Sequence, residues 1–105
     1  MKIKVSGTYR ERTRINLLFF WITGPWKSKP FDRSFVVPEK GVRFAIGPVT
    51  FAASPVDGQG VVASVSIFEH TVWDSLVPIP LGLKIPLHTE PIKGVILDAV
   101  VEVVL

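Results

Sequence analysis

The chain has 105 residues and a formal net charge of +3, with 48% hydrophobic and 20% charged residues. This length predicts one domain with one buried core, and the composition is typical of a folded chain rather than a disordered one. Because cysteine is absent, disulfide bonds, thiolate metal sites and thiol nucleophiles are excluded.

Apolar residues recur at every second position through much of the chain. Ile3, Val5 and Tyr9 alternate with polar residues, and residues 95–103 repeat this pattern near the C-terminus. Successive side chains of a β-strand point to opposite faces, so this period predicts half-buried strands. We therefore expect an all-β, single-domain antiparallel β-sandwich of about seven strands, Ig-like or jelly-roll, with a small closed barrel as the second choice.

The first two strands are predicted at about residues 2–12 and 14–23. Gly7 indicates a bulge or bend in the first, and Gly24-Pro25 indicates the end of the second. Residues 17–22 are apolar on both parities, which is typical of a strand covered on both faces. One face of a two-layer sandwich should contact water. We therefore expect a loop, a second subunit or a ligand to cover the outer face of this strand.

The remaining strands are predicted at about residues 33–37, 42–46, 49–53, 61–69 and 94–104, and the fourth of these could continue as far as Trp73. Turn sequences separate them, among them Asp57-Gly58, a strong hairpin signal. Residues 74–91 contain four prolines among many apolar residues. Because proline disfavours helices and central strands, we expect an extended segment that covers one end of the core.

Charge is divided unevenly along the chain. Residues 1–43 hold ten bases and three acids, whereas residues 44–105 hold two bases and six acids. One interpretation is a basic face for nucleic acid or another polyanion. The other is that basic strands pair with acidic ones and the charges neutralise each other. The candidate polyanion-binding residues are Arg10, Arg12, Arg14, Trp26, Lys27, Lys29 and Arg33.

Four side chains are weak candidates for a metal site: His70, Asp74, His88 and Glu90. Residues two apart on an extended chain share a face, so His88 and Glu90 could point at one ion. No H-x-H or H-E-x-x-H spacing supports such a site, and no recognisable catalytic constellation is present. We therefore predict no resident metal, no cofactor and no enzymatic activity.

The apolar content exceeds what a small two-layer core needs, and exposed patches of this kind mark contact surfaces. The predicted function is a non-catalytic module that acts through protein–protein contacts and self-associates. Polyanion binding is the first alternative. A carrier of a small apolar ligand, lined by Phe19, Trp21, Phe44 and Phe51, is the second. The candidate interface residues are Leu18, Phe20, Ile22, Leu76, Ile79, Leu81 and Leu83.

The longest uninterrupted apolar run, residues 17–22, is far shorter than the roughly 20 residues of a spanning helix. No signal-peptide pattern is visible near the N-terminus. The expected partner is a second copy or another protein, with nucleic acid as an alternative. A cytoplasmic location is the default expectation.

Overall fold

The computed structural model describes residues 1–17 and 20–105, with the backbone alone described for 13–17 and 20–23. The described residues form eight strands and no helix. The strands are β1 (Lys2–Leu17), β2 (Phe20–Val36), β3 (Val42–Ile46), β4 (Val49–Val56), β5 (Gly60–Ile67), β6 (His70–Asp74), β7 (Lys84–His88) and β8 (Val95–Val104).

The strands form two antiparallel sheets of four. The first sheet has the order β2-β1-β8-β7 and the second has the order β3-β4-β5-β6. The prediction of an all-β sandwich is confirmed, and the second choice, a closed barrel, does not form. The described strands number eight rather than seven. The proline-rich segment contributes β7 and the stretch predicted as one strand at 61–73 is divided in two, whereas the strand predicted at 33–37 is part of the long β2 and is not separate.

The core lies between the two sheets and is built from alternate residues of each strand. Ile3, Val5, Leu97 and Val101 of the first sheet and Val65 of the second are at most 1% exposed. An aromatic cluster joins the sheets at one side: Phe35 of β2 stacks on Phe44 of β3, with ring centroids 3.5 Å apart. The ring of Phe44 also stacks on Phe51 of β4. These contacts lie on the side of the strands that the alternation of apolar residues in the sequence predicts to face the core.

Beyond the sandwich, β1 and β2 continue as a two-stranded ribbon. The pairing of β1 with β8 ends at Glu11 opposite Val95, and the Arg12 amide then donates to the Gly94 carbonyl. Pairing of β1 with β2 continues from Arg14 opposite Thr23 to Leu17 opposite Phe20. We name residues 13–23 the hairpin arm. The molecule is correspondingly elongated, with extents of 57 × 20 × 19 Å.

The predicted second strand at residues 14–23 is therefore wrong. Residues 14–17 belong to β1, residues 20–23 belong to β2, and β2 runs on through Gly24-Pro25 to Val36. A register irregularity between Arg12 and Arg14 accommodates the break in the pattern. Proline is tolerated because β2 is an edge strand, where a missing amide donor faces away from the ladder.

The predicted strand at 61–69, with its extension to Trp73, is also corrected. Strand β5 ends at Ile67, and Phe68 and Glu69 take positive φ values of 45° and 73° before β6 begins at His70. Such φ values match a type I′ hairpin turn, whose twist suits antiparallel strands. Phe-Glu lacks the Asn, Asp or Gly that normally announces this turn, so the sequence carries no local signal for it.

The prolines of 74–91 are distributed between loop and edge. Pro86 lies within β7, opposite Val100 of β8, and β7 is the outer strand of its sheet. An edge strand needs donors on one side only, which explains why proline is accommodated here. Residues 75–83 are mostly irregular, and Ile79 forms an isolated bridge with Val61.

A pair of glycine substitutions tests the close packing of β1 on β8. Gly7 has φ +149°, and a Cβ there would overlap the carbonyl oxygen of Asp98, whereas a Cβ at Gly58 would meet nothing within 4 Å. We expect Gly7→Ala to lower the free energy of unfolding by about 3 kcal/mol or more. Gly58→Ala should cost about 1–2 kcal/mol, because its φ of +68° still disfavours a side chain. Urea denaturation measures both, and equal losses would contradict the packing described.

Candidate functional site

The hairpin arm is the most unusual part of the molecule. Its sequence, TRINLLFFWIT, contains seven large apolar residues. Its backbone is a ribbon of two strands, with no third strand and no facing sheet in the described part of the chain. An isolated two-stranded hairpin is at best marginally stable in water, because it cannot cover both of its faces. Apolar residues at this position therefore need cover from another molecule or from each other.

Several predicted contact residues fall in this arm. Leu18 and Phe19 lie outside the described residues, as do the side chains of Arg14, Phe20, Trp21 and Ile22. The sequence pattern on which they were chosen, apolar residues on both parities, was interpreted as one strand covered on both faces. The described backbone instead assigns Leu17 to β1 and residues 20–22 to β2, the two strands of one ribbon.

A second apolar surface lies at the end of the sandwich opposite the arm. Lys2, the first residue of β1, is flanked by Val36 and Val104, and the Gly82 amide donates to the Val103 carbonyl over 2.9 Å. The exposed apolar side chains of this end range from 48% exposed for Met1 to 86% for Leu105. We name them the end cluster: Met1, Val36, Leu81, Leu83 and Leu105.

The structure divides the other predicted interface residues. Leu76 is 84% exposed, in a loop beside the second sheet, and Leu81 and Leu83 belong to the end cluster. Ile79 is only 2% exposed, and its amide and carbonyl both bond to Val61. The assignment of Ile79 to an exposed interface is therefore wrong. The backbone bonds to β5 hold Ile79 against the core, whereas Leu76, which has a positive φ of 60°, is exposed.

The predicted basic residues do not share one face. Arg10 and Arg12 lie on the outward parity of β1, opposite Ser28 and Trp26 of β2. Lys27, Lys29 and Arg33 have the other parity in β2 and so lie on the opposite face of the first sheet. Trp26 is more than one-third exposed, and the Arg12 guanidinium lies 5.6 Å from the centre of its ring. This contact is a cation–π pair, and it occupies one face of the aromatic ring.

Acidic residues from the second half of the chain lie beside these bases. Arg10 Nη2 is 3.8 Å from Asp98 Oδ2, and Lys29 Nζ is 4.0 Å from Glu11 Oε2. The register also places Glu102 between Lys4 of β1 and Lys84 of β7. Cross-strand pairing of this kind offsets part of the first sheet's positive charge. It weakens the argument for a polyanion-binding face.

Three of the four candidate metal ligands line one cleft. His70 of β6, and His88 and Glu90 beside the β7–β8 connection, border an open space of about 420 Å³. Asp74 lies elsewhere and accepts a hydrogen bond from the Leu76 amide through Oδ1. Among the described residues, no three His, Asp or Glu side chains are close enough to hold one metal ion. His88 Nδ1 instead bonds to Asp98.

The His88–Asp98 pair borders a shallow cleft of about 590 Å³ on the outer face of the first sheet, together with Ser6 and Thr8. A carboxylate that orients an imidazole is one part of many catalytic sites. Within the described residues, however, no hydroxyl is hydrogen-bonded to His88. The cleft therefore contains the His88–Asp98 pair and the hydroxyl groups of Ser6 and Thr8, and no hydrogen bond among the described residues joins the pair to either hydroxyl.

Phe44 and Phe51, two of the residues predicted to line an apolar carrier pocket, pack against other aromatic rings. Phe51 is 1% exposed and contacts Phe31 and Phe44 within the aromatic cluster. Phe44 is held between Phe35 and Phe51. These rings fill space between the sheets by packing on one another, and the clefts described above are lined by other residues.

Comparisons with protein-family models, with curated proteins and with solved structures find no match for this chain. No helix long and apolar enough to span a membrane occurs in the part of the chain that the structure describes. Interpretation of the function therefore depends on the geometry of the two apolar ends.

Two substitutions in one loop test the division between core and surface. Ile79→Ala should lower the free energy of unfolding by about 2–4 kcal/mol, because it removes methyl groups from a packed core. Leu76→Ala should change it by less than about 0.5 kcal/mol, because Leu76 is exposed. Denaturant midpoints measure both. If Ile79→Ala left the free energy of unfolding unchanged, the assignment of Ile79 to the core would be contradicted.

Proposed function

We propose that the chain is a non-catalytic assembly module that self-associates through its hairpin arm. The observation that carries this proposal is the apolar sequence of a ribbon whose backbone extends past the sandwich. Buried residues of β1, β4, β5, β7 and β8, with partly buried side chains of β2, β3 and β6, fill the space between the sheets. The backbone of the arm lies beyond the pairing of β1 with β8, at a position suited to contact with another copy.

The free energies of burial and association favour a contact that uses the whole arm. Burying three large apolar side chains contributes roughly 5–8 kcal/mol, whereas association costs about 4–15 kcal/mol in lost freedom and ordering. Three side chains alone would thus support weak binding at most. The arm carries Ile15, Leu17, Leu18, Phe19, Phe20, Trp21 and Ile22. A surface of that size offsets the cost of association with a margin.

Polyanion binding has weaker support. Lys27, Lys29 and Arg33 lie on the opposite face of the first sheet from Arg10 and Arg12, and two of the five already contact a carboxylate. A phosphate backbone is tracked by bases on one continuous surface. Polyanion binding and ligand carriage both remain predictions, and the described geometry adds no observation in favour of either.

An arm-shortened variant tests the proposal. Residues 13–25 are replaced by Asn-Gly, a two-residue hairpin turn that joins Arg12 of β1 to Trp26, its partner in β2, just past the last pairing with β8. We expect the natural chain to show a mass above that of one 11.6 kDa protomer by light scattering. The shortened variant should be monomeric with an unchanged β-sheet circular dichroism spectrum, because the sandwich keeps its core.

A matched pair of point substitutions refines the test. Phe20→Asp should dissociate the assembly, because it introduces a charge into the arm. Phe68→Asp makes the same chemical change in an exposed turn of the second sheet and should leave the mass unchanged. A natural chain that stays monomeric at its highest soluble concentration would refute the proposal. So would an arm-shortened variant that keeps the natural mass.

A further inference from the structure

We infer that the assembly is head-to-tail: the hairpin arm of one copy docks on the end cluster of the next. This inference rests on the proposed function and specifies its partner surface as Met1, Val36, Leu81, Leu83 and Leu105 of a second copy. The contact is heterologous, which means that two different surfaces of the same chain meet.

The two surfaces lie too far apart to satisfy each other within one copy. Strand β1 starts at the end cluster with Lys2 and reaches into the arm at Leu17. Sixteen residues of extended strand span roughly 50 Å at about 3.3 Å per residue, in keeping with the long dimension of 57 Å. The arm cannot fold back on its own end cluster without abandoning its pairing with β2. Each copy therefore presents one apolar arm and one separate apolar end.

The end cluster has the composition of an interface centre. Its members are aliphatic side chains and one methionine, each about half exposed or more. Glu39 and Lys40 follow Val36 in the exposed turn after β2, and Lys2 lies between Val36 and Val104 in the first sheet. Specific interfaces combine an apolar centre with a polar rim in this way. Leu and Met side chains also adapt to a ring-rich partner such as the sequence of the arm.

The area required also favours the end cluster as the receiving surface. A stable contact buries about 800 Å² on each partner. Five large side chains with about half or more of their surface open to water supply the apolar centre of such a patch. The exposed turn at 38–40 and the exposed residues 80–83 extend it. An arm-to-arm dimer would leave the end cluster uncovered on both copies, whereas head-to-tail contacts cover both surfaces of every copy that has a neighbour at each end.

Complementation between two defective variants tests the inference. The arm-defective variant is Phe20→Asp, and the end-defective variant combines Leu83→Asp with Leu105→Asp. Each variant alone should be monomeric, because each lacks one half of the contact. An equimolar mixture should form a one-to-one dimer of twice the 11.6 kDa mass. It should grow no further, because the single intact arm and the single intact end cluster of the pair are both used in that contact.

The outcomes separate this inference from the proposed function. If the end-defective variant keeps the natural mass while the arm-defective variant dissociates, the head-to-tail contact is refuted and self-association through the arm stands. If both variants are monomeric and their mixture stays monomeric, the head-to-tail contact is again refuted. If the natural chain is itself monomeric, both proposals fail. Circular dichroism and thermal unfolding establish that each variant is folded before it is mixed.

Cysteine cross-linking provides a second, independent readout, because the natural chain contains no cysteine. Ile22→Cys places a thiol in the arm and Leu83→Cys places one in the end cluster. Under mild oxidation, a mixture of the two variants should form the mixed disulfide in preference to either symmetric one. The control replaces the end-cluster thiol with Phe68→Cys and should cross-link no faster than random collision. Preferred arm-to-arm disulfides would overturn the inference.

Discussion

The position of β1 in its sheet is the constraint on which the rest of the structure depends. Over residues 2–11 this strand has β2 on one side and β8 on the other, and its odd-numbered apolar residues Ile3, Val5 and Tyr9 are buried between the sheets. Strand β8 begins only at Val95, after a tight turn in which Lys93 and Gly94 have positive φ. Because β1 has 16 residues and β8 has 10, the remainder of β1 can pair with β2 alone. This difference in strand length creates the hairpin arm.

The same difference determines where apolar surface is left over. The space between the sheets is filled by valine, isoleucine and leucine from β1, β4, β5 and β8, with an aromatic cluster at the side of β2 and β3. Apolar residues also lie at the two ends of the long axis, in the sequence of the arm and in the end cluster, while Phe68, Leu76 and Val77 are exposed beside the second sheet. Surplus apolar surface on two opposite ends suits repeated contacts between copies better than a single pocket for a small molecule.

Strand pairing determines how the charged residues are distributed over the surface. The basic first half and the acidic second half of the sequence suggest a polarised molecule, yet β1 and β8 are neighbours in the same sheet. Asp98 and Glu102 of β8 are thereby placed beside Arg10 and Lys4 of β1. Antiparallel pairing of sequence-distant strands thus mixes the two signs on one face. A charge asymmetry along the sequence becomes a surface asymmetry only when the fold separates the halves.

The period of two determined the fold class from the sequence alone, because alternation of apolar and polar side chains is compatible with a half-buried sheet and with little else. It also located most of the strands between 42 and 56 and at the C-terminus, while the Asp-Gly dipeptide located the turn at Asp57-Gly58. Parity states which residues share a face but not which strand lies opposite, so only the tertiary structure could divide residues 14–23 between two strands. For the same reason it alone decided that Ile79 is buried while Leu76 is exposed, since that outcome depends on a bond to Val61 from a segment distant in sequence. The arm and the end cluster became recognisable as opposite ends only once strand lengths and pairings were known, because those depend on neighbours and not on local composition.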